Sequence, residues 1–356
     1  MKKVLIFNPF GIGDVLFSTP LIRNLKDKFP NVSITYICNR RVYPLMKSHD
    51  LLDNVLVFEK DEWRDVAKKS KAGLLSKFFS FRNQIRRGRF DVMFDLSLNS
   101  KYGLFFKYCK IKKRIGFNYK NRGRFLTHKL DLPDGYCDKH VANHVLDLLR
   151  FIDVEACDYK FDLFLPDDAI SRCEGVLEKY FLDKDQFLIA VCPGSGDSWE
   201  GTAYYKRWAK GNFIDLCQRI HDELGAKVIL FGSNAETEIC EIVYNAMKVK
   251  PLNLCGRVSL DEFCGIVSFC RMVITNDGGP LHIAQALGKG GVAFFGPVDE
   301  KVYGIYPPND NYRILKNDVE CRPCYKKFRF TGCDYHKQCL DIEVDRAFEA
   351  VKELLK

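Results

Sequence analysis

A βαβ pattern that starts twice limits what this chain can fold into more than any other feature. Residues 4–7 are a short apolar run. Pro-Phe-Gly-Ile-Gly-Asp follows at 9–14, then a segment, 15–29, with apolar residues at helical spacing, and then a second β-type run at 33–38. Strand, glycine turn, helix, strand is a βαβ unit. Further strands are expected at 54–58, 92–96 and near 114–116, with long basic helices between them. The pattern restarts after Pro166. A buried-type strand at 187–192 ends at Pro193-Gly194, and a helix at 210–224 and a strand at 227–231 follow. A strand at 272–275 then feeds Asn276-Asp277-Gly278-Gly279-Pro280, ahead of a helix at 281–287, a strand at 291–295 and a closing helix at 344–355. Two α/β series without long structureless connections predict an α/β protein of two Rossmann-like domains, with parallel sheets facing across a cleft. The boundary falls between 165 and 185. This gives a first domain at 1–170, a second at 171–340 and a closing helix at 341–356.

The length of 356 residues suits two cores, since single cores rarely grow past roughly 250–300 residues. At 47% apolar and 28% charged, the chain is too apolar for disorder and too evenly charged for a membrane protein. The first seven residues imitate a secretory signal, but Asn8, Pro9 and Asp14 cut its apolar region short. No apolar run approaches the roughly 18 residues needed to span a bilayer. A cytoplasmic protein with reduced thiols is expected.

The net charge of +9 is unevenly spread. Residues 1–165 carry 31 basic and 18 acidic residues, a surplus of 13, while the remainder is net negative by 4. Residues 96–129 contain ten basic residues and no acidic one, with Tyr102, Phe105, Phe106, Tyr108, Phe117, Tyr119 and Phe125 interleaved. Basic residues among aromatics suit single-stranded nucleic acid, but no nucleic-acid module is visible. The surplus suggests an anionic partner without saying which.

The Gly11-Ile12-Gly13-Asp14 turn is not a dinucleotide site. Leu16 stands where the third glycine belongs, and Cys38-Asn39-Arg40 stands where an acidic residue would end the second strand. Nor is it a P-loop, lacking Gly-Lys-Ser/Thr. Asp14 either caps a helix N-terminus or serves as a general base that takes a proton from a hydroxyl. Spacing leaves both open.

In the second half, Cys192-Pro193-Gly194-Ser195-Gly196 is a strand-to-loop turn rich in backbone N–H donors. Lys206-Arg207-Trp208 precedes a helix, and Glu236 follows the Leu230-Phe231-Gly232-Ser233 strand end. Asp277-Gly278-Gly279-Pro280-Leu281-His282 puts two glycines and a proline at a helix start, a natural site for a diphosphate. The plain alternatives are a surface lysine, a first-turn acid at Glu236 and an ordinary helix histidine at His282.

These motifs, in this order over residues 1 to about 340, resemble the heptosyltransferases of glycosyltransferase family 9. The resemblance implies a GT-B fold, with the acceptor in the N-terminal domain and the nucleotide-sugar donor in the C-terminal one. It implies inverting, metal-independent transfer of a heptose from ADP-heptose to a lipopolysaccharide core or related glycan. The enzyme would be cytoplasmic, peripheral at the inner face of the inner membrane. It places Asp14 as general base, Lys206 on the donor phosphates, and Glu236 (with Glu238 a near rival) on the nucleoside ribose. Gly194, Ser195, Asp277, Gly278, Gly279 and His282 fall around the donor. Acceptor contacts are expected at Gly11, Gly13, Lys101, Lys112, Lys113, Arg114 and Arg122. Ala209 replaces a usual proline, Gly278 a usual Ser or Thr, and Trp199, Tyr204 and Tyr205 are extra. A different nucleotide sugar, a protein acceptor, or a non-catalytic glycan-binding relative are the competing readings. The oligomeric state is open.

Eleven of the 15 cysteines are scattered, several inside apolar runs. Cys321, Cys324, Cys333 and Cys339 fall within 19 residues, at a spacing that suits structural zinc or iron. Free thiols or a disulfide are the alternative, and both readings stay open. No cofactor is expected for catalysis.

Overall fold

In the computed structural model, which describes every residue except 197 and 198 and all side chains of the others save that of Glu200, the chain forms two compact units, Met1–Phe164 and Leu165–Lys356. The first is built on β1 (Lys3–Phe7), β2 (Ser33–Cys38), β3 (Asn54–Val57), β4 (Val92–Asp95), β5 (Lys113–Asn118) and β6 (His128–Asp131). They form one parallel sheet in the order β3-β2-β1-β4-β5-β6. The second has β7 (Leu188–Cys192), β8 (Lys227–Leu230), β9 (Leu252–Asn253), β10 (Met272–Asn276), β11 (Gly290–Phe294) and β12 (Tyr312–Leu315). Its order, β12-β11-β10-β7-β8-β9, is the same winding repeated. In each sheet the order reverses beside the first strand, between β1 and β4 and between β7 and β10. In such folds the carboxyl ends of the strands at that reversal carry ligands.

The central strands read as continuous apolar runs because both faces are covered. In the first unit, Phe7 packs edge-on against Phe58 and Tyr102 and tilted against Phe106, in a core cluster with Ile85 and Met93. In the second, Trp208 stacks on Phe294 with ring centroids 4.1 Å apart, and its indole N–H donates to the Ile342 carbonyl at 3.0 Å. That bond ties the closing helix, Val344–Leu355, onto the same core through Phe348. The units part after Phe164 because the preceding segment folds back onto helix Thr19–Lys28. Asn24 accepts from the Cys157 N–H at 2.7 Å, and Thr19 Oγ1 accepts from the Asp162 N–H at 3.0 Å.

The expected helix at 15–29 is two helices, Ile12–Leu16 and Thr19–Lys28. Ser18 breaks the run by donating its hydroxyl to the Val15 carbonyl at 2.7 Å, and Pro20 starts the second helix because it has no N–H to give an earlier turn. β6, β9 and β12 were not anticipated, nor was the small hairpin Tyr325–Lys326/Arg329–Phe330. All are short. Replacing Phe348, 1% exposed, by Ala should cost about 3–5 kcal/mol in the second unit, through lost burial and a cavity against Trp208. Glu349→Ala, on the exposed side of the same helix, should change stability by less than about 0.5 kcal/mol in the same denaturant titration.

Candidate functional site

At the carboxyl ends of β7 and β10 one buried side chain joins three segments. Asn276 closes β10 and is fully buried. Its Nδ2 donates to the carbonyls of Pro193 and Gly194 at 2.9 and 2.7 Å, and its Oδ1 accepts from the Trp208 N–H at 2.8 Å. It thereby fixes the 193–196 loop, the Lys206-Arg207-Trp208 segment and the Asp277 turn against one another. Sequence reasoning missed it. The only signal was an amide at the inner end of an otherwise apolar strand.

The residues so held are ones the sequence singled out. Lys206 and Asp277 are both buried and pair at 2.7 Å, and the ammonium also lies 5.2 Å from the centre of the Trp199 ring. Removing one member of such a pair would leave an uncompensated buried charge. Asp277 is followed by Gly278 and by helix Gly279–Ala286, with Pro280 in its first turn. A Cβ at position 278 would come within 3.2 Å of the Ser195 carbonyl oxygen, so glycine suits this close approach.

Ser195 is buried, donating its hydroxyl to the Ala203 carbonyl and accepting from Arg207 Nε. Gly194 is required by its neighbour, since a Cβ there would meet Glu236 Oε1 at 1.8 Å. Glu236 is buried. Its Oε1 accepts from the Gly196 N–H at 2.7 Å, and its Oε2 accepts from the Ser233 N–H and hydroxyl at 2.8 and 3.0 Å. It caps its own helix and anchors the 193–196 loop at once. Glu238 lies two residues on, in the first turn of helix Thr237–Ala246.

His282 is buried in helix Gly279–Ala286, and burial, with the Lys206 charge adding to it, pushes its pKa down to about 3. Gln285 fixes its tautomer. The Gln285 Oε1 accepts from the Tyr306 N–H at 2.8 Å, which turns the amide NH₂ toward His282 Nδ1 at 3.1 Å. Nδ1 is therefore the acceptor, and Nε2 of the neutral ring carries the proton.

In the first unit, Gly11-Ile12-Gly13-Asp14 lies at the carboxyl end of β1, beside β4. Gly11 caps the short helix Ile12–Leu16, and a Cβ there would face open space. Asp14 is half-buried in the first turn. Buried Asn8 donates to its carbonyl at 2.9 Å, and Asn39 holds the preceding turn through the Phe10 carbonyl. The Asp14 charge adds to burial in raising the pKa of Tyr36 and Tyr136, so both phenols stay protonated. On the same edge Asp95 ends β4, fully desolvated with its pKa pushed up to about 6, and accepts from the Ser97 N–H.

The structure divides the basic residues expected at the acceptor. Lys101, in the first turn of helix Ser100–Tyr108 after β4, and Arg122, stacked 5.7 Å from Tyr119 beyond β5, share the carboxyl edge with Asp14. Lys112 and Lys113 stand where β5 begins, at the opposite edge, because a parallel strand carries its two ends to opposite rims of the sheet. Arg114 braces a loop, its guanidinium donating to the carbonyls of Ile111, Lys112 and Phe125.

Cys321, Cys324, Cys333 and Cys339 line one small cavity, yet no group of three or more His, Cys, Asp or Glu among the described residues is placed to hold a metal. Cys324 donates to the Cys321 carbonyl at 3.1 Å, and Cys333 accepts the Lys337 N–H at 3.4 Å. Burial raises the Cys324 and Cys339 thiols.

Comparison with known proteins agrees with this architecture. Residues 78–333 match the family described as glycosyltransferase family 9 (heptosyltransferase). Over 364 residues the chain is 25% identical to lipopolysaccharide heptosyltransferase 2 of Salmonella typhimurium, covering 99% of this chain and 98% of that one. Among solved structures, a glycosyltransferase family 9 protein from Veillonella parvula superposes with a TM-score of 0.82, at 20% identity, covering 99% and 97% of the two chains. ADP-heptose lipopolysaccharide heptosyltransferase II of Escherichia coli gives 0.77 at 22%, covering 100% and 98%.

The His282 environment yields a pH prediction. The folded value lies below the ordinary 6.5, so between the two only the unfolded chain binds this proton. Its contribution to stability is full above pH 6.5 and is lost as pH falls toward 3. Nitrogen-15 NMR of labelled histidine should find the Nε2–H tautomer unchanged down to about pH 4.5, about two units below the midpoint of a free histidine. Gln285→Leu should mix the tautomers.

Proposed function

The chain belongs to glycosyltransferase family 9 and is a glycosyltransferase, and from that premise we propose that it transfers a heptose from ADP-heptose to a lipopolysaccharide-core or related glycan. The observation that carries the reading is the buried Lys206–Asp277 pair at the start of helix Gly279–Ala286, cross-tied by Asn276. A cation, backbone N–H groups and a helix N-terminus converge on one point there, as a diphosphate requires. Several curated relatives carry the name lipopolysaccharide or lipooligosaccharide heptosyltransferase 2, which supports the sugar and the acceptor class.

On this reading Lys206, His282 Nε2–H and the N–H groups at the helix start hold the diphosphate and stabilise the charge it gains on leaving. Glu236 keeps its loop in place and reads the ribose hydroxyls through lone pairs left free by its backbone bonds. Asp14 takes the proton of the acceptor hydroxyl while that oxygen attacks the anomeric carbon from the face opposite the nucleotide. The bond to the diphosphate oxygen breaks with its electron pair, and the sugar is inverted. One carboxylate suffices because the leaving group is already a good one. Lys101 and Arg122 bind the anionic acceptor, with Gly11 and Gly13 leaving room for it. Lys206 and the helix dipole supply the positive charge at the phosphates, so no metal step is invoked. A glycolipid acceptor puts this work at a membrane surface.

Three outcomes are expected. In a thermal-shift panel ADP-heptose should stabilise the protein and GDP- and UDP-sugars should not; a shift with either of those would overturn the donor. Asp14→Asn should cut turnover about 10²–10⁴-fold while the ADP-heptose shift persists, and retained turnover would remove Asp14 as the base. A chelator should leave the rate unchanged.

A further inference from the structure

Part of the basic surplus of the first unit lies outside that chemistry. Residues 66–90 contain eight basic residues and no acidic one. Helix Lys71–Gly88 within that stretch leaves Leu75 57% and Phe79 50% exposed. At helical spacing these two share a face with Lys71, Arg82 and Arg86. Phe78, Phe81 and Ile85 form the face that packs inward, on Phe105 and the core under β1 and β4. Arg82 Nε donates to the backbone carbonyl of Tyr108 at 3.2 Å, which sets Tyr108, 58% exposed, beside this face. On the preceding helix, Glu62 pairs with Arg40 and with Lys77 of this helix, and Asp61 pairs with Arg64.

Single exposed apolar residues are ordinary on a protein surface. Two of them on one face with a third beside it, bordered by cations on a helix that carries no carboxylate, form an amphipathic strip that complements an anionic bilayer. We propose that this face, helix Lys71–Gly88 with Tyr108, docks the enzyme on an anionic phospholipid surface. Leu75, Phe79 and Tyr108 enter the boundary between headgroups and acyl chains, and Lys71, Arg82 and Arg86 meet lipid phosphates. The inference deepens the glycolipid-acceptor reading by naming the surface that carries the acceptor, but it is read by binding and not by turnover. A second copy of the chain fits the face less well, since it would bring like charges together.

The test is co-sedimentation of the full chain with vesicles of phosphatidylglycerol and phosphatidylethanolamine, and with vesicles of phosphatidylcholine alone. Binding should favour the anionic vesicles at least about tenfold and weaken in high salt. Leu75→Ser/Phe79→Ser, and separately Lys71→Glu/Arg86→Glu, should each lower it about tenfold or more, with an unchanged melting curve and an unchanged thermal shift by ADP. Equal binding to neutral vesicles would overturn the proposal. So would variants that bind like the parent, displacement of vesicles by single-stranded RNA at equal charge, or loss of a dimer as the only effect of the apolar variant. Loss of the ADP shift in the parent protein would instead strike the donor reading and leave this one standing.

Discussion

The buried amide of Asn276 ties together the loops that form the candidate donor site of the second unit. Its three bonds reach two carbonyls of one loop and the N–H of another, 68 and more residues away in the chain. Without them, the segments carrying Ser195, Lys206 and Asp277 would be joined only by side-chain contacts such as Arg207 with Ser195 and Lys206 with Asp277. A buried amide is satisfied only when all its partners are in place, which makes the arrangement single-valued where an apolar residue would tolerate drift. The stacking of Trp208 on Phe294 adds a rigid floor, so the N–H that Asn276 accepts is itself immobile.

Around that knot the electrostatics differ between the units. The second unit concentrates one buried cation, Lys206, next to one buried anion, a neutral histidine and a helix start, and is otherwise net negative. The first carries its positive surplus on the surface. Strand polarity sorts that surplus: Lys101 and Arg122 stand with Asp14 at the carboxyl edge, whereas Lys112 and Lys113 stand at the other rim and Arg114 is consumed by carbonyls. A charge run in the sequence thus resolves into separate tasks once the strand direction is known.

Much of this was legible in the sequence. Helix Lys210–Leu224 and the closing helix Val344–Leu355 have the predicted ends, because strong amphipathic periods and a glycine stop leave little choice. The doubled βαβ pattern predicted the two parallel sheets. What failed to register was short or non-periodic. β9, at two residues, is too brief for any alternation, and the break at Ser18 depends on a side-chain bond to a carbonyl three residues back. Asn276 and Gln285 escaped notice because their partners lie far along the chain or on a neighbouring loop. The spacing of the four clustered cysteines foretold that they share one small cavity, but spacing does not determine where sulfurs point within it.

The central claim is that the turns after β7 and β10 form a diphosphate cradle around Lys206. Calorimetric titration of ADP and of AMP reads that cradle directly, because the two ligands differ by one phosphate. ADP should bind about tenfold or more tighter than AMP, and Lys206→Met should erase most of that difference while leaving AMP affinity nearly unchanged. Equal affinities for ADP and AMP in the parent protein would contradict the account.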